Sequence, residues 1–401
     1  MITNKVKIPK DVDLLSLHKI YVELGLKAKQ DFFIDLIIPI ELTKNYLGIS
    51  VSLIQFAATW LRTEKASKLI IDITTPNEKL LENLFRNEYL LPIIGLVWDG
   101  IGVYDKEGNN LRKYLKKSLN EVFIKMAKVE ALKGEKLLLT NFDHFPESVG
   151  ILPCFEQNGE YISSETELAV SLENVLMNDV LRNYSDTHLS YKNIKRSFSK
   201  IVYELMKNTF EWAKADVDDV PFDPNIRGVL IKFNKRKRST LVENFKSNKG
   251  VSEYFNNEVL KENNQGELYF LEISVFDSGA GFISKYRSLN DNASKFSDIE
   301  VVKKCMIKHN TSSKGLNKGD KGIGLDKILR IISGKGLIRI KTGNKCVYRN
   351  LITEPYLAIN RKNVEKMKLY DWSNDSDVNY TNYEPVSGSV VTIIFPLSIN
   401  D

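Results

Sequence analysis

The sequence predicts an α/β protein in two parts, residues 1–175 and 176–401, and three observations carry that expectation. Its 401 residues exceed the ~100–200 typical of one domain. The first part alternates short β-rich apolar runs with helix-spaced segments. The second part holds strand-like runs separated by glycine-rich turns and amphipathic helices.

Taken in order, "DFFIDLIIPI" and "SKLIIDIT" are short, apolar and β-rich, and read as strands. Between them "VSLIQFAATWLRTEKA" has helical spacing, which gives a strand–helix–strand order. "LLPIIGLVWDG" and the long amphipathic "LRKYLKKSLNEVFIKMAKVEALK" follow. The polar residues of this part converge on no motif, so an interaction or sensing role is expected of it. A helical pattern then runs from about Ser164 to Leu181, and a second begins near Asn193. Residues 356–387, rich in Asn, Asp, Tyr and Ser, read as a long loop before a last strand, "SVVTIIFPL".

At 43% hydrophobic and 27% charged residues, the composition is that of an ordinary globular chain and excludes disorder as its main state. The net charge of +6 favours an anionic partner: a nucleotide, a nucleic acid or an acidic protein. Cys154, Cys305 and Cys346 form neither a CxxC pair nor a Cys/His cluster, which argues for a reducing compartment and against structural zinc. The start, "MITNKVKIPKDVDLL", lacks the apolar core of a signal peptide. "FFIDLIIPI" and "YLLPIIGLVW" are about ten residues long and broken by Asp, Pro or Gly, too short to cross ~30 Å of hydrocarbon. A soluble cytoplasmic protein is expected, with no membrane partner. The basic stretch "KFNKRKRSTLVENFKSNK", residues 232–249, carries cations that can neutralise nucleic-acid phosphates. A solvated excursion between secondary elements is the preferred reading of it.

Three segments of the second part carry chemistry. In "NIKRSFSKIVYELMKNTFEWAKAD", Ile194, Phe198, Ile201, Val202, Leu205, Thr209 and Trp212 recur at three- and four-residue steps, one apolar face of a helix. Glu204 and Asn208 stack a turn apart along the edge of that face. One reading is a solvated shoulder; the other is a carboxylate that takes a proton beside an amide oxygen that holds a hard cation such as magnesium. Next, the apolar run "ELYFLEIS" ends in "VFDSGAGF", a carboxylate, Asp277, in front of two glycines. That is either turn chemistry or a place where backbone approaches a flat ligand while Asp277 reads its edge. Last, in "HNTSSKGLNKGDKGIGLDKILRIIS", Gly319, Gly322 and Gly324 lead into the apolar-periodic Leu325, Ile328, Leu329 and Ile332. A flexible loop entering a helix N-terminus suits phosphate, and Lys314 and Lys321 add positive charge. Neither a Walker A loop nor a Rossmann fingerprint fits this spacing.

Together "ELMKN", "DSGAG", "GDKGIGL" and "GSVVTIIFP", in this order, resemble the GHKL superfamily, the Bergerat-fold ATP-binding domain of gyrase B, heat-shock chaperones, MutL and histidine kinases. The resemblance covers roughly residues 180–401. It implies an α/β sandwich, a mixed sheet backed by helices, with ATP between them, preceded by the small α/β domain. It further implies that Asp277 accepts the exocyclic amine of adenine and that Gly279 and Gly281 let the base lie against the backbone. Glu204 would be the general base and Asn208 the magnesium ligand. Gly319, Gly322 and Gly324 would wrap the phosphates at the hinge of a lid, roughly residues 283–321. "HNTSSK" is similar to the lid segment of gyrase and MutL proteins, with Lys314 a phosphate contact. Ser389 stands where the family usually has Thr, and keeps the hydroxyl. Histidine kinases usually carry Asn at the Glu204 position, and none of His18, His144, His188 and His309 lies in a phospho-acceptor motif, so Glu204 fits the ATP-hydrolysing branch. The expected function is a nucleotide-dependent switch for a partner protein. The alternatives are a protein kinase, because "ELMKN" also resembles dehydrogenase kinases and anti-sigma kinases, and a nucleotide-binding module without turnover.

Overall fold

A computed structural model describes residues 3–74, 76–132, 134–162, 164–290, 293–307 and 324–397. The chain is α/β, with parallel and antiparallel pairings segregated into separate sheets. Strands β1 (Thr3–Lys7), β2 (Phe33–Ile38), β3 (Ala66–Ile71) and β4 (Gly102–Tyr104) form a parallel sheet in sequence order. Parallel neighbours need crossover connections. Helices Leu14–Ala28 and Ile49–Leu61 supply the first two; Glu78–Leu84 and Leu90–Leu96 lie in the third. The strand–helix–strand order read from "DFFIDLIIPI" to "SKLIIDIT" is therefore observed.

The second sheet contains β5 (Lys136–Phe142), β6 (Ile226–Lys237), β7 (Glu267–Asp277), β8 (Leu337–Gly343), β9 (Lys345–Asn350), β10 (Tyr370–Asp371) and β11 (Val386–Pro396). Their order is β10-β9-β8-β11-β7-β6-β5, and every pairing is antiparallel. The parallel pairs of a mixed sheet are thus confined to the four-stranded one. The division expected at residues 175 and 176 does not coincide with the sheets either. β5 pairs with β6 along its whole length, from Lys136 opposite Lys232 to Phe142 opposite Ile226. Apolar "KLLLTNF" completes the larger sheet from before the expected boundary, and no local signal in its sequence distinguishes it from the strands of the first part.

Side chains on β7 and β11 alternate between two covered faces, which explains their nearly continuous apolar sequences. Val275, Asp277, Ser389 and Val391 face the cleft described below. Glu272, Ser274 and Thr392 face the opposite way, toward the helix Ile49–Leu61. Of that helix's 13 residues 11 are buried, and a helix apolar around its circumference belongs inside a protein. It bridges the two sheets: Trp60 donates its indole N–H to the Ile34 carbonyl on β2 at 2.9 Å. At its start the backbone N–H groups of Leu47 and Gly48 donate to the buried Glu272 carboxylate at 2.8 and 3.0 Å. Arg339, also buried, donates to the Leu47 carbonyl and to Ser52 Oγ.

The other face of the larger sheet carries the helix His188–Trp212, which starts five residues before the pattern read at Asn193. Phe198, Ile201, Val202, Leu205 and Thr209 are buried, as the spacing predicts. The basic stretch 232–249 is not an excursion. Its first residues continue β6, with Lys232 and Asn234 buried, and helices Arg238–Asn244 and Lys249–Asn256 follow. Lys235, Arg238, Lys246 and Lys249 each pair with a carboxylate. Among the described residues no helix is long and apolar enough to cross a membrane.

Candidate functional site

Four segments far apart in sequence meet in one cleft. Its walls include Leu205, Asn208, Thr209 and Trp212 from the long helix, Val275 and Asp277 from β7, and Ser389 and Val391 from β11. Gly281, Phe282, Lys285 and Tyr286 contribute from the helix Gly281–Leu289, and Gly324 and Leu325 from the helix Gly324–Ile331. The cleft encloses about 110 Å³. Its walls are mainly apolar, with a few convergent polar groups.

Asp277 is the end of β7 and lies against Arg227 of β6 in the strand register. Burial pushes its carboxyl up to about 7, although the backbone N–H groups of Gly279 and Ser389 and the charge of Arg227 pull the other way. The Gly279 N–H donates to Asp277 Oδ1 at 3.0 Å. Arg227 itself is fully buried and is held by Asp143 and Glu156. Such an acid in a largely apolar cleft is poised to accept one hydrogen bond from a ligand donor.

The turn after Asp277 is tied to the end of the long helix. Ser278 Oγ donates to Asn225 Oδ1 at 2.6 Å, and Asn225 Nδ2 donates to the Ala213 carbonyl at 3.0 Å. Gly279 lies so close to Ala213 that a Cβ there would sit 2.6 Å from its Cα. Its missing side chain therefore serves contact with the protein's own helix, and it is not among the cleft walls. Gly281 does line the cleft, and its φ of +76° is a left-handed conformation that favours glycine. Sequence reasoning passed over Gly388, at φ +70°, whose N–H donates to the Gly279 carbonyl at 2.6 Å. Any Cβ there would overlap the Asp277 carbonyl oxygen. The signal was present, since Gly388 opens the "GSVVTIIFP" segment.

Ser389 is buried, and its hydroxyl lies 3.0 Å from Thr342 Oγ1, which accepts the Phe282 N–H at 2.9 Å. Thr342, on β8, carried no sequence signal. Cys305 also lines the cleft, with its thiol pushed up to about 12 by burial, so it is neutral and unreactive there.

Glu204 and Asn208 meet Gly324 at the start of its helix. A Cβ on Gly324 would lie 3.3 Å from both Glu204 Oε2 and Asn208 Nδ2. The edge of the helix face is thus buried against a second helix, which excludes the solvated-shoulder reading of Glu204, 9% exposed. Its Oε1 accepts from Lys327 Nζ at 2.7 Å, a partner that no motif announced. Lys314, Gly319, Gly322 and much of the expected lid lie outside the described residues. The described part of that segment contains the helices Gly281–Leu289 and Asp298–Cys305, packed on each other, the first also against β8.

The structure therefore brings Asp277, Gly281, Gly324, Ser389 and Asn208 to one cleft, with Glu204 one turn along the helix from Asn208. Among the described residues no group of three His, Cys, Asp or Glu side chains stands ready to hold a metal ion. Comparison with protein-family models, with curated proteins and with solved structures finds no match to this chain.

Proposed function

We propose that this protein is a magnesium-ATP-binding ATPase of the GHKL type, a nucleotide-dependent switch for a partner protein, working in the cytoplasm. One observation carries the reading. A buried acid, Asp277, shares a cleft with the Gly324 helix start, and Glu204 and Asn208 converge on that same start. A purine amine donating to Asp277 would satisfy the carboxylate that burial otherwise disfavours. Val275, Val391, Leu205 and Trp212 offer apolar surface to a flat base. Phosphates suit the Gly324 end, where the backbone N–H groups of a first helical turn and the helix dipole favour negative charge.

Magnesium fits this donor set: it commonly keeps several waters and takes few protein ligands beside substrate phosphates, and Asn208 would be its protein ligand, with the ion neutralising phosphate charge. Glu204 accepts a proton from the attacking water. The water oxygen bonds to the terminal phosphorus while the bond from that phosphorus to the bridging oxygen breaks. The bridging oxygen keeps the electron pair, and the products are ADP and inorganic phosphate. Leu205, Thr209 and Phe282 help exclude bulk water from the cleft.

The test is calorimetric titration of magnesium-ATP into the wild type and into Asp277→Asn. Losing an acceptor from a charge-assisted hydrogen bond removes ~1.5–3 kcal/mol, roughly a tenfold to hundredfold loss of affinity. Equal affinities in two folded proteins would refute the assignment of Asp277.

A further inference from the structure

We propose that Lys327 distinguishes a nucleoside triphosphate from a diphosphate in this cleft, by exchanging its Glu204 partner for the terminal phosphate. The inference rests on the nucleotide reading above and adds to it a residue and a selectivity that none of the four sequence segments suggests.

Lys327 sits in the first turn of the helix Gly324–Ile331. A cation there opposes the helix dipole, whose positive end is at the N-terminus. Its position is offset by Glu204, whose Oε1 it meets at 2.7 Å. The two partners are unequally held. The Glu204 side chain is 12% exposed, whereas that of Lys327 is 38% exposed. The carboxylate is fixed between two helices, and the ammonium, on a long flexible stem, is free to move toward a new partner.

The long helix sets the direction. Ala213, the residue that caps its C-terminal end, packs on Gly279 beside Asp277. Glu204 stands nine residues earlier, ~13 Å along the axis at 1.5 Å per residue. A ligand that places its base on Asp277 therefore extends its phosphates toward Asn208 and then toward the Glu204–Lys327 pair. A terminal phosphate carries more charge than one carboxylate and offers more acceptor oxygens, so it draws the ammonium away. Glu204 Oε1, no longer accepting from Lys327, is then free to accept from water. A diphosphate ends short of the pair and leaves it closed. Lys327 thus links arrival of the third phosphate to release of the base.

The experiment measures ATP and ADP dissociation constants, with magnesium, for the wild type, Lys327→Met, Lys327→Gln and Lys327→Arg. The expected result is an ATP affinity lowered roughly tenfold or more in the Met and Gln variants, the size of one lost charge-assisted contact. Their ADP affinity should stay within about twofold of wild type, and the Arg variant should recover most of the ATP preference. A lysine with a purely structural role would lower both affinities together. A wild-type ATP-to-ADP ratio in either folded Met or Gln variant overturns the inference while leaving the nucleotide reading intact. Absence of binding of either nucleotide by the wild type overturns both.

Discussion

The backbone N–H of Ser387 donates to Thr59 Oγ1 at 3.0 Å, across 328 positions of sequence. Thr59 belongs to the helix between the two sheets, and Ser387 precedes Gly388, which packs on the Asp277 backbone, and Ser389, which lines the cleft. Three residues along, Arg62 donates to the Pro224 carbonyl at 2.7 Å, next to Asn225, which ties Ser278 to Ala213. One end of a helix from the first part therefore touches both backbone segments that support Asp277.

Thr59→Val removes the acceptor and leaves the Ser387 amide half-buried without a partner. The expected cost is about 1–3 kcal/mol, seen as a lowered Tm. Amide exchange at Ser387, Gly388 and Ser389 should quicken more than exchange in the core of β7. Uniform quickening across the sheet would mean that the contact stabilises the fold without selectively supporting the cleft.

The raised carboxyl of Asp277 makes both stability and binding depend on pH. A folded-state value of about 7 against ~3.9 for an unfolded Asp means that the folded state holds the proton more tightly. The resulting stability is fully present below the unfolded value and is lost as pH rises through about 7, on the order of a few kcal/mol. Asp277→Asn, which cannot ionise, should therefore unfold at a higher temperature than ligand-free wild type at pH 8. At pH 5 the gap should shrink. Thermal melts of both proteins across this range check the sign.

ATP binding should run the other way. A donated amine favours the ionised carboxylate, so wild-type affinity should rise with pH through about 7 and flatten above it. Asp277→Asn is the control: its weaker affinity should lack that inflection. A shared inflection in both proteins would assign the titration to another group or to the phosphates.

Gly388→Ala forces a Cβ onto the Asp277 carbonyl at a left-handed φ. The left-handed conformation alone costs roughly 1–2 kcal/mol for an L-residue, and the overlap adds to it. The variant should melt several degrees lower and lose nucleotide binding even where it remains folded. A well-folded Ala variant with unchanged affinity would show that the backbone at Asp277 adjusts freely.

Much of this was legible in the sequence because it rests on local periodicity. The face formed by Phe198, Ile201, Val202 and Leu205 and the helix after Gly324 announce themselves at three- and four-residue spacing, and the strand ending at Asp277 as a nearly continuous apolar run. What the spacing could not show is long-range. The pairing of β5 with β6 depends on a partner nearly ninety residues away, and a short apolar strand does not name its sheet. Lys232 and Lys235 look alike in a basic run, yet one lies inside the sheet with its ammonium on the Asn45 carbonyl and the other at the surface beside Glu267. Lys327 and Thr342 act only through neighbours brought by folding. Gly279 was expected to let a base lie against the backbone, and the structure packs it on Ala213; a glycine that admits a ligand and one that admits a neighbouring segment read the same.

Incubation of the protein with magnesium and γ-labelled ATP, followed by separation of protein-bound label from free phosphate, tests the central claim most directly. Run beside it, Glu204→Gln should keep ATP bound and lose turnover by ~10²–10⁴-fold, the usual size of a general-base contribution. Asn208→Ala should lose magnesium-dependent affinity as well as turnover, and Lys207→Ala should retain both. An ATPase built on Glu204 releases free labelled phosphate in the wild type and almost none in Glu204→Gln. Label transferred to a protein would make the molecule a kinase, and neither product, or equal turnover in Glu204→Gln, would contradict an ATPase built on Glu204.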